Sequence, residues 1–348
     1  MSKVSIVKCG DYNPVRVEES VGKALKLLGG LEKIVKEGDK VLLKLNLTNA
    51  EEPGKAATTH PQVVRALVRA VKECGGIPML GDSSDSLSIV EDKCREAIEK
   101  FGWDRWQKIC LRGKTWPELL RELSLNKETI PNIIKEAYDY LLKITGMKEV
   151  LDEFEVLAAD FEEDYRVSNN LEGRFLHSIV LAKVVMEADV LISIPKLKTH
   201  NQALFTGCIK NSFGCVPGPI KSRYHRLSVE KGKFASMLLD VFVRTKPNLS
   251  IMDGIIGMEG EGPGAGSPRK VGIVLASEDS VALDAVASTV IGYVPLQIPT
   301  IRIASQRRLG EANLEKIEIM GEGIEEVRID DFIHPAKREL VEKAHRNE

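Results

Sequence analysis

The chain alternates between short apolar runs and longer amphipathic stretches. KVSIVKC, KVLLKLN, GIPMLGD, DVLISIPK, NLSIMDG and KVGIVLAS are of strand length and end in polar or glycine residues. Between them, PQVVRALVRAVKECGG and FASMLLDVFVRTKP carry the helical period. This alternation predicts βα units. The apolar runs lack strict in–out alternation, which suits strands covered on both faces. The expected fold is α/β: a mainly parallel sheet with flanking helices, lobed, with a helical insertion.

Shifts in the pattern set the boundaries. Residues 1–85 read as a first α/β lobe. Residues 86–150 hold all three tryptophans, many charges and the helical stretch IIKEAYDYLLKI, and read as a helical insertion. Residues 151–334 read as a second α/β lobe sharing the cleft. Within it, 151–180 add strands around the polar loop DFEEDYRVSNNLEG. Residues 335–348 read as a charged C-terminal helix. Each lobe offers a strand ending at lysine, then a helix, then a strand ending at aspartate. Lys44 and Asp82 form the first set, Lys196 and Asp253 the second, a hint of internal duplication.

Composition narrows the class. The 348 residues are 43% hydrophobic, enough for a sizeable core, but only 5% aromatic, so that core is aliphatic. A net charge of −2 provides no field for nucleic acid or anionic lipid. No stretch approaches 18 consecutive apolar residues, and the N-terminus reads as a strand and turn, so no membrane partner is expected. The six cysteines are scattered at 9, 74, 94, 110, 208 and 215. That spacing predicts neither a disulfide framework nor an iron–sulfur cluster held by this chain, and points to a reducing cytoplasm. A homodimer is compatible with the sequence.

Ligands of open parallel sheets bind beyond the carboxyl ends of the strands, so polar residues there become candidates. Lys44 and Asn46 close KVLLKLN and could hold an anion or a carbonyl; a lysine snorkelling past the sheet edge is the plainer account. In ATTHPQVV, Thr58 or Thr59 can cap a helix, which puts His60 beside unpaired backbone N–H groups. Asp82 in GDSSD is a general base, a metal ligand or a helix cap. Asp253 ends NLSIMD ahead of a glycine-rich stretch that could close as a lid and that carries Glu259. Asp284 stands on an otherwise apolar helix face.

The densest signal is ADVLISIPKLKTHNQALFTGCIKNSFGCVPG. Lys196, Lys198 and His200 follow a buried strand, then come Lys210, Asn211, Arg223 and His225. No acid falls between Lys196 and Arg226. A core cannot absorb so many cations, so an anion site is the better account. The same stretch allows a divalent metal on His200, Cys208, Cys215 and His225, although the spacing fits no standard site and small buried hydrophobes are the commoner role for such cysteines.

KLNL, ATTHPQVVRALV, GDSSD, ADVLISIPKLKTH, IKNSFGCVPG, IMDGIIGMEGEGP and LASEDSVALDAVA, in this order, resemble the domain of unknown function 362 family. The resemblance covers about 40–85 and 175–310. Many members carry a ferredoxin-like segment with clustered cysteines; this chain has no such cluster. It also has Leu45 where the family usually has proline after the lysine.

Two functions are weighed. The first is an enzyme acting on a small anionic substrate, a carboxylate or phosphate. Lys44, Asn46, Lys196, Lys198, Lys210, Asn211 and Arg223 would hold it, and His200 or His60 would transfer a proton. Asp82 and Asp253 would orient a histidine or bind a metal. The second is a non-catalytic binding or redox-partner module that docks an anionic ligand or an acidic protein. Depth separates them: an enzyme sinks these groups into a cleft, whereas a docking module spreads them over a convex face.

Overall fold

The computed structural model describes residues 1–48, 50–83, 129–162, 164–230 and 232–336. The apolar runs become strands β1 (Ser2–Lys8), β2 (Lys40–Lys44), β3 (Ile77–Gly81), β7 (Val190–Ser193), β10 (Leu249–Glu259) and β11 (Ser267–Ser277). Shorter strands join them: β4 (Leu157–Ala158), β8 (Lys196–His200), β9 (Leu204–Thr206) and β12 (Ile317–Gly321). Together they form one ten-stranded sheet of order β12-β1-β11-β10-β7-β2-β3-β4, in which β8 pairs with β10 and β9 with β8. It is mostly parallel. The antiparallel exceptions are β11 against both neighbours and the β8–β9 hairpin.

Both stretches expected to contribute lobes feed this single sheet. β2 lies beside β7 with β3 beyond it, while β1 crosses to the far side between β11 and β12. Helices α1 (Pro14–Leu27) and α2 (Pro61–Glu73) cover one face. There Val17, Val21, Val63, Leu67 and Val68 pack with Val41, Leu43, Ile192 and Ile251. Each such side chain, fully buried, contributes about 2 kcal/mol. The other face carries two further apolar clusters, one around Leu239, Leu275 and Leu283, the other around Leu42, Phe213 and Leu238. Covering both faces explains why β2 and β7 read as near-continuous apolar runs.

Helices α3 (Thr129–Ile144) and α4 (Met147–Phe154) account for the later part of the expected insertion, and α4 packs on α2. The earlier part, 86–128, lies outside the described residues, as does most of the expected C-terminal helix. Strands β5 (Tyr165–Asn169) and β6 (Ser178–Ala182) make a separate two-stranded sheet, and α5 (Lys183–Glu187) follows; extra strands are expected here, but β5 lies inside the stretch DFEEDYRVSNNLEG that reads as a polar loop. No described helix is long and apolar enough to cross a membrane.

The glycine-rich stretch after Asp253 differs from expectation. Gly254 and Gly257 belong to β10, which continues to Glu259 and pairs with β11 through a bulge between Gly254 and Ile256. A Cβ on Gly257 would press on the Leu197 carbonyl. Here glycine permits strand-to-strand approach and does not mark a free lid.

Candidate functional site

Strand register builds the site. Lys44, the last residue of β2, pairs with Gly81 of β3 on one side and Ser193 of β7 on the other. Asp82 is therefore the next residue beyond Lys44's neighbour, and the two form an ion pair of 2.6 Å. The Lys44 ammonium also donates to the Leu45 carbonyl, and Asp82 accepts from the Leu47 N–H. Gly214 lies over this pair; a Cβ there would collide with Asp82 and Lys44.

A second pair repeats the arrangement. β7 already pairs with β10, and after Ile194 and Pro195 the chain resumes as β8, still beside β10. This puts Lys196 directly opposite Asp253. Their ion pair is 2.9 Å, and both side chains are fully buried. Tyr12 closes the group: its hydroxyl accepts from Lys196 at 2.7 Å and donates to Asp253 at 2.8 Å. Asp253 also accepts the backbone N–H groups of His60 and Ile255. The His60 ring stacks on Tyr12 at 3.5 Å. Burial, the Asp253 carboxylate and its hydrogen bond hold the Tyr12 phenol well above its ordinary value. Burial outweighs the Asp253 carboxylate and lowers Lys196.

A cavity of about 640 Å³ opens on the Asp82 side. That volume is in the range of small-molecule sites. Its floor is Asn46, Leu47, Asp82 and Ser83, and one wall is the β8–β9 turn with His200, Asn201 and Gln202. The other wall comes from α6 (Cys208–Asn211), with Lys210 and Asn211, the turn after it, with Phe213, and α7 (Gly218–Glu230), with Lys221, His225 and Arg226. Among the described lining residues Asp82 is the only acid, and it is already engaged by Lys44 and Leu47. Lys221 donates to Ser83. Asn46 donates to Asn211, which in turn donates to Ser193.

His200 is 5% exposed. Its Nδ1 accepts the backbone N–H groups of Gln202 and Ala203 at 3.0 and 3.1 Å. Burial, helped by Lys210, Lys198 and His225, holds its pKa well below the usual value. His225 Nε2 lies 2.7 Å from Gln202 Oε1. Asp284, on α8 (Ser280–Val290), accepts the Cys208 and Ile209 N–H groups and so anchors the start of the short helix that carries Lys210 and Asn211. Burial pushes it up to about 6.

The structure divides the residues singled out from sequence. His200, Asp82, Asn46, Lys210, Asn211 and His225 meet at the cavity. Lys44 lies directly beneath, paired with Asp82. Lys196, Asp253 and His60 form the second, enclosed group. Lys198 is fully buried and donates to Thr48 and to the Ala57 carbonyl. Glu259 accepts the Ile333 N–H and faces Arg269, away from the lysines. The cap of α2 is His60 itself, through Nδ1, in place of Thr58 or Thr59.

Arg223 is exposed and off the cavity. Lys221, Ser222, His225 and Arg226 take the facing side of α7, at helical spacing. The same period, applied to the polar residues of this helix, would have picked Lys221 and Arg226 from the sequence. Tyr12 left no such signal, because GDYNP reads only as a turn.

The cysteines proposed as metal ligands are in apolar clusters, Cys208 in one and Cys215 in another. Burial raises both thiols, Cys215 to about 12. Among the described residues no three His, Cys, Asp or Glu side chains come together in a group that could hold a metal ion.

The comparisons agree with these motifs. The thylakoid-associated protein sll1697 of Synechocystis sp. is 33% identical over 311 residues, covering 89% of this chain and 80% of that protein. The family described as domain of unknown function (DUF362) matches residues 41–114 and 127–289, which include β2, β3, the β8–β9 turn and both cavity helices. The chain belongs to this family.

Proposed function

We propose that the chain is an enzyme acting on a small anionic substrate, a carboxylate or phosphate, bound in the cavity between the β8–β9 turn and α7. The observation that carries this reading is the lining itself. Lys210, Lys221, Arg226, His200 and His225 converge on one concave space, while Asp82 is spent on Lys44 and Leu47. Positive side chains gathered in a concave space favour a bound anion, which gains charge-assisted hydrogen bonds there. Concavity favours the enzyme over the docking module, which would display these groups on a convex face. The free thiols of Cys9, Cys74, Cys208 and Cys215 suit a reducing cytoplasm.

The test compares two arginines on one helix. Arg226→Ala should weaken binding of inorganic phosphate or of small carboxylates at least tenfold by calorimetry, with little change in melting temperature. Arg223→Ala should leave binding unchanged. Equal effects from both variants, or no anion binding by the wild-type protein, would remove the basis for this site.

A further inference from the structure

We infer that His200 serves the cavity as a fixed, neutral hydrogen-bond donor that presents Nε2–H to an oxygen of the bound anion, and not as a base that takes a proton. This rests on the anion-binding reading of the cavity and gives one of its histidines a definite role.

The argument starts from the ring's other nitrogen. Two backbone N–H groups, from Gln202 and Ala203, converge on His200 Nδ1 at 3.0 and 3.1 Å. Both are donors, so Nδ1 must present a lone pair. A neutral imidazole carries one proton, and it must then reside on Nε2. Protonating Nδ1 would sacrifice both backbone bonds and leave two N–H groups facing an N–H. The tight β8–β9 turn keeps those donors in place, because β8 and β9 pair from His200 to Leu204.

The surroundings act in the same direction. Lys198, Lys210 and His225 face the ring with positive or titratable groups, and Phe234 lies 6.2 Å from it, centroid to centroid. None of them stabilises an imidazolium. With Nδ1 occupied and Nε2 protonated, the ring has no lone pair to offer a substrate. It can donate, and through that bond it can stabilise a full or developing negative charge on oxygen. A base for the reaction must then come from elsewhere on the lining or from the substrate itself.

Nitrogen-15 NMR of the intact protein reads this directly. The His200 ring should show an unprotonated Nδ1 and a protonated Nε2 throughout pH 5 to 8, and saturating inorganic phosphate should move its Nε2–H signal. His200→Gln, whose amide can place a donor near the Nε2 position, should bind phosphate within about threefold of wild type. His200→Leu should lose about tenfold or more. A protonated Nδ1, a titration between pH 5 and 8, or an Nε2–H that stays still while phosphate binds would each overturn the inference and leave the cavity standing. If neither phosphate nor any small carboxylate binds the wild-type protein, the cavity reading fails and the role of His200 falls with it.

Discussion

The two lysine–aspartate pairs use the same chemistry in different surroundings. At Lys196–Asp253 the carboxylate receives four donors: Lys196, Tyr12, His60 N–H and Ile255 N–H. Neither side chain reaches a solvent-facing space. At Lys44–Asp82 the carboxylate receives Lys44 and the Leu47 N–H, and it lines the cavity. Buried charge is tolerated when every lone pair is answered from within, or when water or a ligand can answer it. The enclosed pair follows the first course, which suits a structural clamp between β8 and β10. The cavity pair follows the second, which suits a site where charge must be adjustable.

The largest expected effect tests that division. Asp253→Ala leaves Lys196 charged and enclosed, and Tyr12 and two backbone N–H groups lose their acceptor. The loss should be about 4 kcal/mol in urea unfolding. Asp82→Ala should cost about half as much, because water in the cavity can approach Lys44. Equal losses would mean the cavity pair is as sealed as the other, and the comparison would collapse.

Much of this arrangement could be read from the sequence, and the unread part has a physical pattern. Strands showed because buried strands are apolar runs, and Lys44 and Lys196 showed because a charge at the end of such a run is conspicuous. The parallel between Lys44/Asp82 and Lys196/Asp253 also showed, since it needs only order along the chain. Lys198 was misplaced by the same logic. As the third residue of β8 it turns into the fold, toward Thr48 and Ala57, and only the register of β8 on β10 reveals this. Tyr12 was invisible because its hydrogen-bond partners are more than 180 residues away.

Titration should separate the two regions next. His60, on the enclosed side, is lowered to about 4, chiefly by burial, with Lys196 and Arg65 adding to the effect and Asp253 opposing it. Between pH 6.5 and 4 the unfolded chain takes a proton that folded His60 refuses. This group therefore removes stability as pH falls, by about 3 kcal/mol in all. Asp284, on the cavity side, has the opposite sign. Its folded form keeps a proton up to about pH 6, whereas the unfolded carboxyl loses it near 3.8. It therefore adds stability as pH falls from 6 to 4, again by about 3 kcal/mol. Relative to wild type, His60→Gln should gain stability on acidification and Asp284→Asn should lose it. Urea unfolding at pH 6.5, 5 and 4 measures both; slopes of the same sign would show that one of the two environments is misassigned.

The smallest expected effect is the most specific to the site. Asp82→Asn removes the only described acid from the cavity lining and releases the Lys44 charge toward the bound anion. The affinity for inorganic phosphate should rise several-fold, about 1 kcal/mol, because that charge no longer faces a carboxylate. A ligand that binds only the folded state stabilises it in proportion to its affinity. Saturating phosphate should therefore recover part of the stability that Asp82→Asn loses. Asp253→Asn makes the same chemical change where no anion can follow, so phosphate should stabilise that variant no more than it stabilises wild type. Melting temperatures of the three proteins, with and without phosphate, carry the comparison. Equal recovery in both variants would show that the ion acts on the protein surface at large, and that Asp82 does not gate the charge of this cavity.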